Sequence, residues 1–464
     1  MTSREIALTA SLRAAGRGAP LQDVLCDMLD DSGLDGRDRA FAEEIALGAL
    51  RRRISLDLVL DRVLTSPIGR VQPPVAEALR QAAYQILILD RVPSHAAVNE
   101  TVTLVKAQMG KGPAGLANAV LRSLSRLVVA KGAKRPGGAR SRSAIASRDG
   151  AFTTLTKRIV PGVDENPTRW LAGAYGYPAW LVERWLDRFG AEQTERVLEW
   201  GNTPPGLTVR LNPLRLPDWP LREEDAARAF EGCASYAPGE VPGTYALVAE
   251  AHPRGLGGLK AGLFTVQDSA QVRPCRVLNP PPGARVLDLC AGLGGKSTQL
   301  AEMVGPDGGV VALELDERKI ELARAADERL GLANISHVCG DVTDAPGDAA
   351  GGFEFVLLDA PCSNIGSLDR RPEVRHRVTE RAINELAEAE LGLLRAALAR
   401  VAEGGTMVYS VCTLEPEETD LVVTRALEER SEFRLESEHY VTPVAGARDG
   451  GYCARITRSR SRTD

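Results

Sequence analysis

Along the first part of the chain, apolar residues recur three and four positions apart. Arg37–Leu64 (RDRAFAEEIALGALRRRISLDLVLDRVL) and Val75–Leu89 (VAEALRQAAYQILIL) both carry this spacing, which lays one apolar stripe along an α-helix. Ala96–Met109 and Gly115–Ala130 continue it, and strand-type alternation is nearly absent. Residues 1–127 therefore predict an all-α bundle. The pattern then breaks: Lys131–Asp149 is rich in Gly, Ser, Arg and Pro, a composition too poor in apolar side chains to pack, and a flexible basic linker is expected over 128–164.

From 165 to 275 the signals are mixed. Pro178–Gly190 reads as a helix ended by glycine, and Gly206–Arg215 as a strand carrying Arg210, together a small α+β module. From 276 to 460, short β-branched runs alternate with helical ones. The runs are ARVLDLC, GGVVALEL, ISHVCGD, FEFVLLDAP and GGTMVYSVC; Asp316–Leu332 is one of the helices between them. Such alternation predicts a parallel sheet covered by helices, an α/β Rossmann-like domain that binds ligands beyond the carboxyl ends of its strands. Asp288, Glu314, Asp341, Asp359 and Cys412 all fall at or near those ends.

Composition narrows the class. A net charge of −5 hides basic clusters at Lys131–Arg148 and Ala454–Arg462, read as solvated tethers or as phosphate-attracting arms. Eight cysteines without a CxxC pair, and five scattered histidines (His95, His252, His337, His376, His439), predict neither a disulfide scaffold nor a metal site. No apolar run is long enough to span a membrane, and the first residues lack the features of a signal peptide. A cytoplasmic protein with reduced thiols is expected.

Leu287–Leu300 (LDLCAGLGGKSTQL) reads as strand, glycine-rich turn and helix. Gly292, Gly294 and Gly295 permit a tight turn and a close approach to a ligand, and the helix start beyond them presents unpaired N–H groups. The loop fits neither GxxxxGK[ST] nor GxGxxG. Glu314 lies about 20 residues beyond Gly292, where an acid can take ribose hydroxyls. One acid and a loop too short for a pyrophosphate favour a mononucleoside-like cofactor, S-adenosylmethionine.

Two further segments carry reactive groups. Cys362 follows Asp359-Ala360-Pro361 at one strand end, and Cys412 ends the next strand. Sequential elements of this kind usually lie side by side, so both thiols can face one pocket. Methylation of a pyrimidine at carbon-5 needs this set. A thiolate adds to carbon-6, an acid beside nitrogen-3 stabilises the developing charge, and a base removes the carbon-5 proton so that the thiol can leave. The target base must be single-stranded or flipped out.

At these residues the C-terminal part resembles the RNA cytosine carbon-5 methyltransferases, with DAPCS and VCT matching their two cysteine motifs. The N-terminal stretches LDGRDRAFAEEIALGALRRR, AAYQILILDRVPSHAAVNETVTLVK and ANAVLRSL resemble the NusB-like RNA-binding domain. Together they are similar to bacterial 16S rRNA cytosine methyltransferases that join the two. The resemblance implies a class I methyltransferase domain, an RNA-recognition role for the α+β module, and Cys412 as nucleophile with Cys362 assisting release. It implies that Asp359 contacts the base, and that Cys290, Ala291, Gly292, Leu293, Gly294, Gly295 and Lys296, with Glu314, Asp341 and Asp359, hold S-adenosylmethionine. The implied partner is 16S rRNA or a small-subunit assembly intermediate, bound by a monomer. The same chemistry on tRNA, or a non-catalytic RNA-binding factor, are the competing readings; the intact Asp359, Cys362, Cys412 and Lys296 count against the last. The chain departs from the family pattern at Leu293, where proline is usual, in VCT for Thr-Cys-Ser, and at His376 in place of tryptophan, with an expected effect on RNA contacts.

Overall fold

The computed structural model describes residues 1–249 and 255–460, so His252 and the tail's Ser461 and Arg462 lie outside the described residues. The chain divides into two compact units: Met1–Pro204 with Leu368–Arg377, and Pro205–Ser367 with Val378–Asp464. Among the described residues no helix is long and apolar enough to cross a membrane.

The first unit opens with the expected helices: Ser3–Arg17, Leu21–Asp30, Gly36–Arg51, Arg53–Leu60, Pro73–Leu87, Ser94–Met109 and Lys111–Ser125. Thr2 and Glu5 form a reciprocal capping box at the start of the first. The continuous helix expected over 37–64 is broken at Arg52, which leaves helical geometry. Ile6, Leu25, Ile45 and Ala46 are fully buried in one core.

The stretch expected to be a flexible linker is instead built into this unit. β1 (Val128–Ala133), β2 (Ala144–Ala146) and β3 (Phe152–Leu155) form an antiparallel sheet in the order β1-β3-β2. The segment has little apolar surface of its own and takes its core from elsewhere. Phe152 stacks on Trp170, with 6.1 Å between ring centroids, and meets the edge of Tyr175. Trp170 Nε1 donates to the Ser141 carbonyl, and Arg52 to that of Ala146. Both aromatic partners lie on the helix Pro167–Tyr175, which composition alone could not assign to this sheet.

The segment predicted as one α+β module is likewise divided. The helices Pro167–Tyr175 and Ala179–Trp200, the second interrupted at Gly190 with φ +72°, belong to the first unit. The strands β4 (Leu207–Leu211), β5 (Cys233–Pro238), β6 (Thr244–Ala249) and β7 (Phe264–Val266) belong to the second, as an antiparallel sheet in the order β5-β6-β4-β7. Arg210 on β4 is buried and forms an ion pair with Glu302 of the helix Gly295–Val304, fastening this small sheet to the cofactor-type helix.

The second unit's main sheet has seven strands: β8 (Arg285–Leu289), β9 (Gly309–Glu314), β10 (Ile335–Cys339), β11 (Phe353–Asp359), β12 (Val401–Val411), β13 (Phe433–Val441) and β14 (Gly451–Arg458). Their order is β10-β9-β8-β11-β12-β14-β13. The first five are parallel, as expected; β14 pairs antiparallel with β12 and β13, so the sheet is mixed. Alternate strand residues enter two cores. Leu287, Leu289, Val356, Leu358 and Tyr409 pack with Leu391, Leu394 and Val422 on one face; Val286, Val310, Leu357 and Val408 pack with Leu278, Leu300 and Val304 on the other. Helices therefore cover both faces, and the parallel strand ends are left to form a site.

Candidate active site

The turn after β8 runs through Cys290–Gly295. Cys290 has φ +58°, rare for a residue with a side chain, and Gly292 and Gly294 follow at +59° and +80°. Two bonds fix the turn against β9: Ala291 N–H donates to the Leu313 carbonyl at 3.0 Å, and Gly292 N–H to Glu314 Oε2 at 2.8 Å. Lys319 Nζ adds a 3.1 Å contact to the other oxygen of Glu314. A Cβ placed on Gly295 would meet nothing within 4 Å, so space is open above the turn. Glu314, the turn and the first N–H groups of the helix Gly295–Val304 thus stand together at the sheet edge. Asp341, just past β10, is exposed and accepts bonds from Thr343 within its own turn, which holds its carboxyl below the usual range. Leu293 is also exposed.

Beneath the turn lies charge. Lys296 is buried, and its Nζ reaches Asp359 Oδ2 at 2.7 Å and Gln271 Oε1 at 2.6 Å. Burial alone would lower the lysine's pKa; the adjacent Asp359 outweighs it and raises it, so Lys296 keeps its charge. Behind it, Asp288 is fully buried and accepts from Ser297 Oγ at 2.6 Å, and burial pushes its carboxyl up to about 7. Burial also pushes the Cys290 thiol up to about 12, which makes it a poor nucleophile.

β11 and β12 are neighbours with Asp359 opposite Ser410, so the loops leaving them bring Cys362 and Cys412 together. Their sulfurs are 3.2 Å apart. Cys412 Sγ donates to Asn364 Oδ1 at 3.1 Å, and Asn364 Nδ2 donates to the Cys362 carbonyl at 2.7 Å. Asn364 has φ +61°, a left-handed turn that folds its amide back between the two loops. Gly366 N–H donates to the Cys412 carbonyl at 2.9 Å; a Cβ there would sit 2.8 Å from that oxygen and 2.5 Å from the Gly450 carbonyl, so only glycine fits.

The thiols are not equivalent. The hydrogen bond from Cys362 lowers the pKa of Cys412, and the same bond, with burial, raises that of Cys362 well above the ordinary thiol value. Of the two, Cys412 is the sulfur shifted toward the thiolate and Cys362 the one shifted toward the thiol. This is the asymmetry a nucleophile and its assisting thiol require.

Every sequence-predicted residue has a hydrogen-bond or chain link to the same strand-end rim, Asp341 through Gly340, whose N–H donates to the Glu314 carbonyl at 3.1 Å. Sequence reasoning missed Asn364, Gln271, and Ser363, Thr413 and Glu418, which bond to one another below the cysteines. Their available signal was position alone: each lies within six residues of a reactive cysteine, or, for Gln271, on a helix that packs from the other side. His376 is half-buried in the first unit with Nε2 2.8 Å from the Leu50 carbonyl, and desolvation beside Arg375 depresses its pKa to about 3, so its ring is neutral.

The comparisons with known proteins agree with this geometry. The family profile of 16S rRNA methyltransferase RsmB/F matches residues 275–461, that of the NusB family residues 1–126, and the ferredoxin-like domain of RsmF/B-like methyltransferases residues 177–218. The probable ribosomal RNA small subunit methyltransferase B of Bacillus subtilis (strain 168) is 31% identical over 93% of this chain and 89% of its own. The ribosomal RNA small subunit methyltransferase B of Klebsiella pneumoniae is 28% identical over 99% and 98%. Among solved structures, PH0851 superposes with a TM-score of 0.77 at 21% identity, over 98% of this chain and 99% of its own. A methyltransferase homolog protein from Pyrococcus horikoshii gives 0.54 at 23% identity, over 63% and 99%. With a glycine turn, a strand-end acid and a thiol pair on one rim, and a relative matched over nearly its full length, the chain belongs to the RsmB/F family of small-subunit ribosomal RNA methyltransferases, enzymes that draw on S-adenosylmethionine.

Proposed function

We propose that this protein transfers a methyl group from S-adenosylmethionine to carbon-5 of a cytosine in 16S rRNA, through a covalent Cys412 adduct. The observation that carries the reading is the 3.2 Å thiol pair with its split acidity. A single buried cysteine would serve packing; two at this distance, one favouring the thiolate, match an addition that must later be reversed.

The residues present fit the cofactor. Glu314 offers a carboxylate for the ribose hydroxyls, Asp341 a second acceptor for the nucleoside, and the Cys290–Lys296 turn and helix start offer N–H groups and open space. The bound cofactor supplies the methyl group. The Cys412 thiolate adds to carbon-6, and the electron pair of the ring double bond moves to carbon-5, which takes the methyl. Asp359, held beside Lys296, contacts the base at nitrogen-3; carrying a proton it donates to that nitrogen and, with the Lys296 ammonium alongside, stabilises the negative charge that develops there. A solvent water then takes the carbon-5 proton, the C–H electron pair re-forms the double bond, and the Cys412 sulfur leaves as a thiolate that accepts a hydrogen bond from the Cys362 thiol.

Bisulfite sequencing of RNA from cells with and without the gene tests substrate and reaction together. One methylated cytosine should disappear from 16S rRNA; loss from tRNA instead would overturn the substrate. For the mechanism, Cys412→Ala should abolish transfer while cofactor binding persists, and Cys362→Ala should leave a protein–RNA adduct that survives denaturing electrophoresis. An adduct from Cys412→Ala would reverse the two roles.

A further inference from the structure

Directly below the two cysteines lies a buried acid that the mechanism above does not use. Glu418 belongs to the acidic EPEE run after Cys412, which by composition would be a solvated helix start. Instead its side chain turns inward and is fully buried. The short 3-10 turn Pro416–Glu418 makes this possible, because Glu418 N–H donates to the Glu415 carbonyl and reverses the chain.

Its carboxylate accepts three bonds. Ser363 N–H and Ser363 Oγ donate to Oε1 and Oε2, each at 2.6 Å, and Thr413 Oγ1 donates to Oε2 at 2.7 Å. Ser363 Oγ and Thr413 Oγ1 also lie 2.9 Å apart. Ser363 immediately follows Cys362, and Thr413 immediately follows Cys412. One carboxylate therefore bonds the residue next to each reactive sulfur, on loops that leave two different strands.

The group is costly to keep there. Burial raises the pKa of Glu418, and the three donors oppose the rise. Tyr409 Oη donates to the Glu418 carbonyl oxygen at 2.8 Å and faces Glu390 Oε2 at 3.3 Å. Glu390 is also fully buried, and burial with the neighbouring Glu418 pushes its carboxyl up to about 10, so Glu390 is protonated at neutral pH. Fold stability alone is better served by apolar groups in such a place. A satisfied polar network gives what they do not, a single fixed geometry.

We propose that Glu418 is a positioning residue for the methyl-transfer reaction: it clamps the Cys362 and Cys412 loops so that the sulfurs stay in hydrogen-bond register through addition and release. This rests on the assignment of the two cysteines given above. Without the clamp, Cys412 still adds to the base, because its strand is intact. Cys362 loses its register with the departing sulfur, so release is the step that suffers. A misplacement of about 1 Å is enough to slow such a step by about 10- to 100-fold.

The test compares Glu418→Ala, Glu418→Gln and Thr413→Val in the full-length protein, with Cys362→Ala alongside. Thr413→Val removes one arm with nearly unchanged shape, and so reports even where Glu418→Ala folds poorly. The readouts are the fraction of enzyme held as RNA adduct and the rate at which dibromobimane, a short bifunctional alkylating reagent, bridges Cys362 to Cys412 without RNA. We expect Glu418→Ala and Thr413→Val to accumulate adduct as Cys362→Ala does, and to bridge more slowly. Glu418→Gln keeps an amide oxygen to accept from Ser363 N–H and an amide N–H that the Ser363 and Thr413 hydroxyls can turn to accept, and should restore both readouts. If the variants lose methyl transfer only in step with their folded fraction, with adduct and bridging unchanged, the clamp is overturned. If Cys362→Ala itself traps no adduct, the cysteine roles are wrong; the bridging rate then decides the clamp alone, slowed bridging supporting it and unchanged bridging overturning it.

Discussion

The two units hold their buried charge on different partners. The first hides cations. Arg375 is fully buried, and its guanidinium donates to the Arg51 carbonyl at 2.9 Å, to the Gly201 carbonyl at 2.5 Å and to Asn202 Oδ1 at 2.8 Å, with the Tyr177 ring 3.9 Å from its centre. Arg51 in turn donates to the Asp369 carbonyl, and Arg52 to that of Ala146. These arginines are bound mainly by backbone oxygens, which neither titrate nor move independently. The second unit also buries Arg210 and Lys296, but against side-chain carboxylates, and it hides acids besides: Asp288, Glu390 and Glu418 are each fully buried, and their partners are mostly hydroxyls. Arginine on carbonyls is cement, because its charge is permanent and its fork fixes several chain segments at once. Carboxyls on hydroxyls can take or give a proton, and one of them, Glu418, is bonded to the residues that follow the two thiols. The contrast separates scaffold from chemistry without reference to any ligand.

The sharpest way to break the comparison is Arg375→Ala. It leaves three acceptors without a charged donor, and a loss of about 3–5 kcal/mol in denaturant unfolding of the first unit's transition is expected. A loss below about 1 kcal/mol would mean that the buried cations are not structural. An intermediate effect is expected from Glu390→Gln. Its carboxyl is raised in the folded chain, so its stabilising share is full below the ordinary carboxyl range and declines as pH climbs toward about 10. The wild-type melting temperature should therefore fall more steeply than the variant's between neutral and alkaline pH, by a few degrees. Identical slopes would show that Glu390 does not titrate in this range. The smallest effect concerns the basic stretch of the first unit. Arg135 is paired with Glu195 and Arg142 with Glu165, whereas Lys134 and Arg140 are exposed. Neutralising Lys134 and Arg140 should reduce the salt slope of RNA binding by at most about 2, and neutralising Arg135 and Arg142 by less. An unchanged slope for the first pair would mean that this stretch takes no part in binding RNA.

Much of this was legible in the sequence. Helices of the first unit announced themselves by apolar spacing, and each parallel strand by a β-branched run ending in Asp, Glu or Cys. The mixed sheet was not, because β13 (FRLESEHYV) exposes most of its alternating positions and carries little apolar signal. Glu418 was invisible for the opposite reason: it sits among acids that look solvated, and only its bonds to Ser363 and Thr413 reveal it.

The chain by itself therefore determined the local elements, the glycine turn and the identity of the reacting groups, since each depends on residues within a few positions of one another. Tertiary structure decided where scarce apolar surface would be shared and which charges would be taken from water. The Phe152 strand is a strand because Trp170 and Tyr175 cover it, and Leu368–Arg377 belongs to the first unit because Arg375 finds its acceptors there. The pKa of Cys412 is lowered because another loop brings the Cys362 thiol to 3.2 Å. Burial and hydrogen-bond partners are properties of distant neighbours, and only folding supplies those.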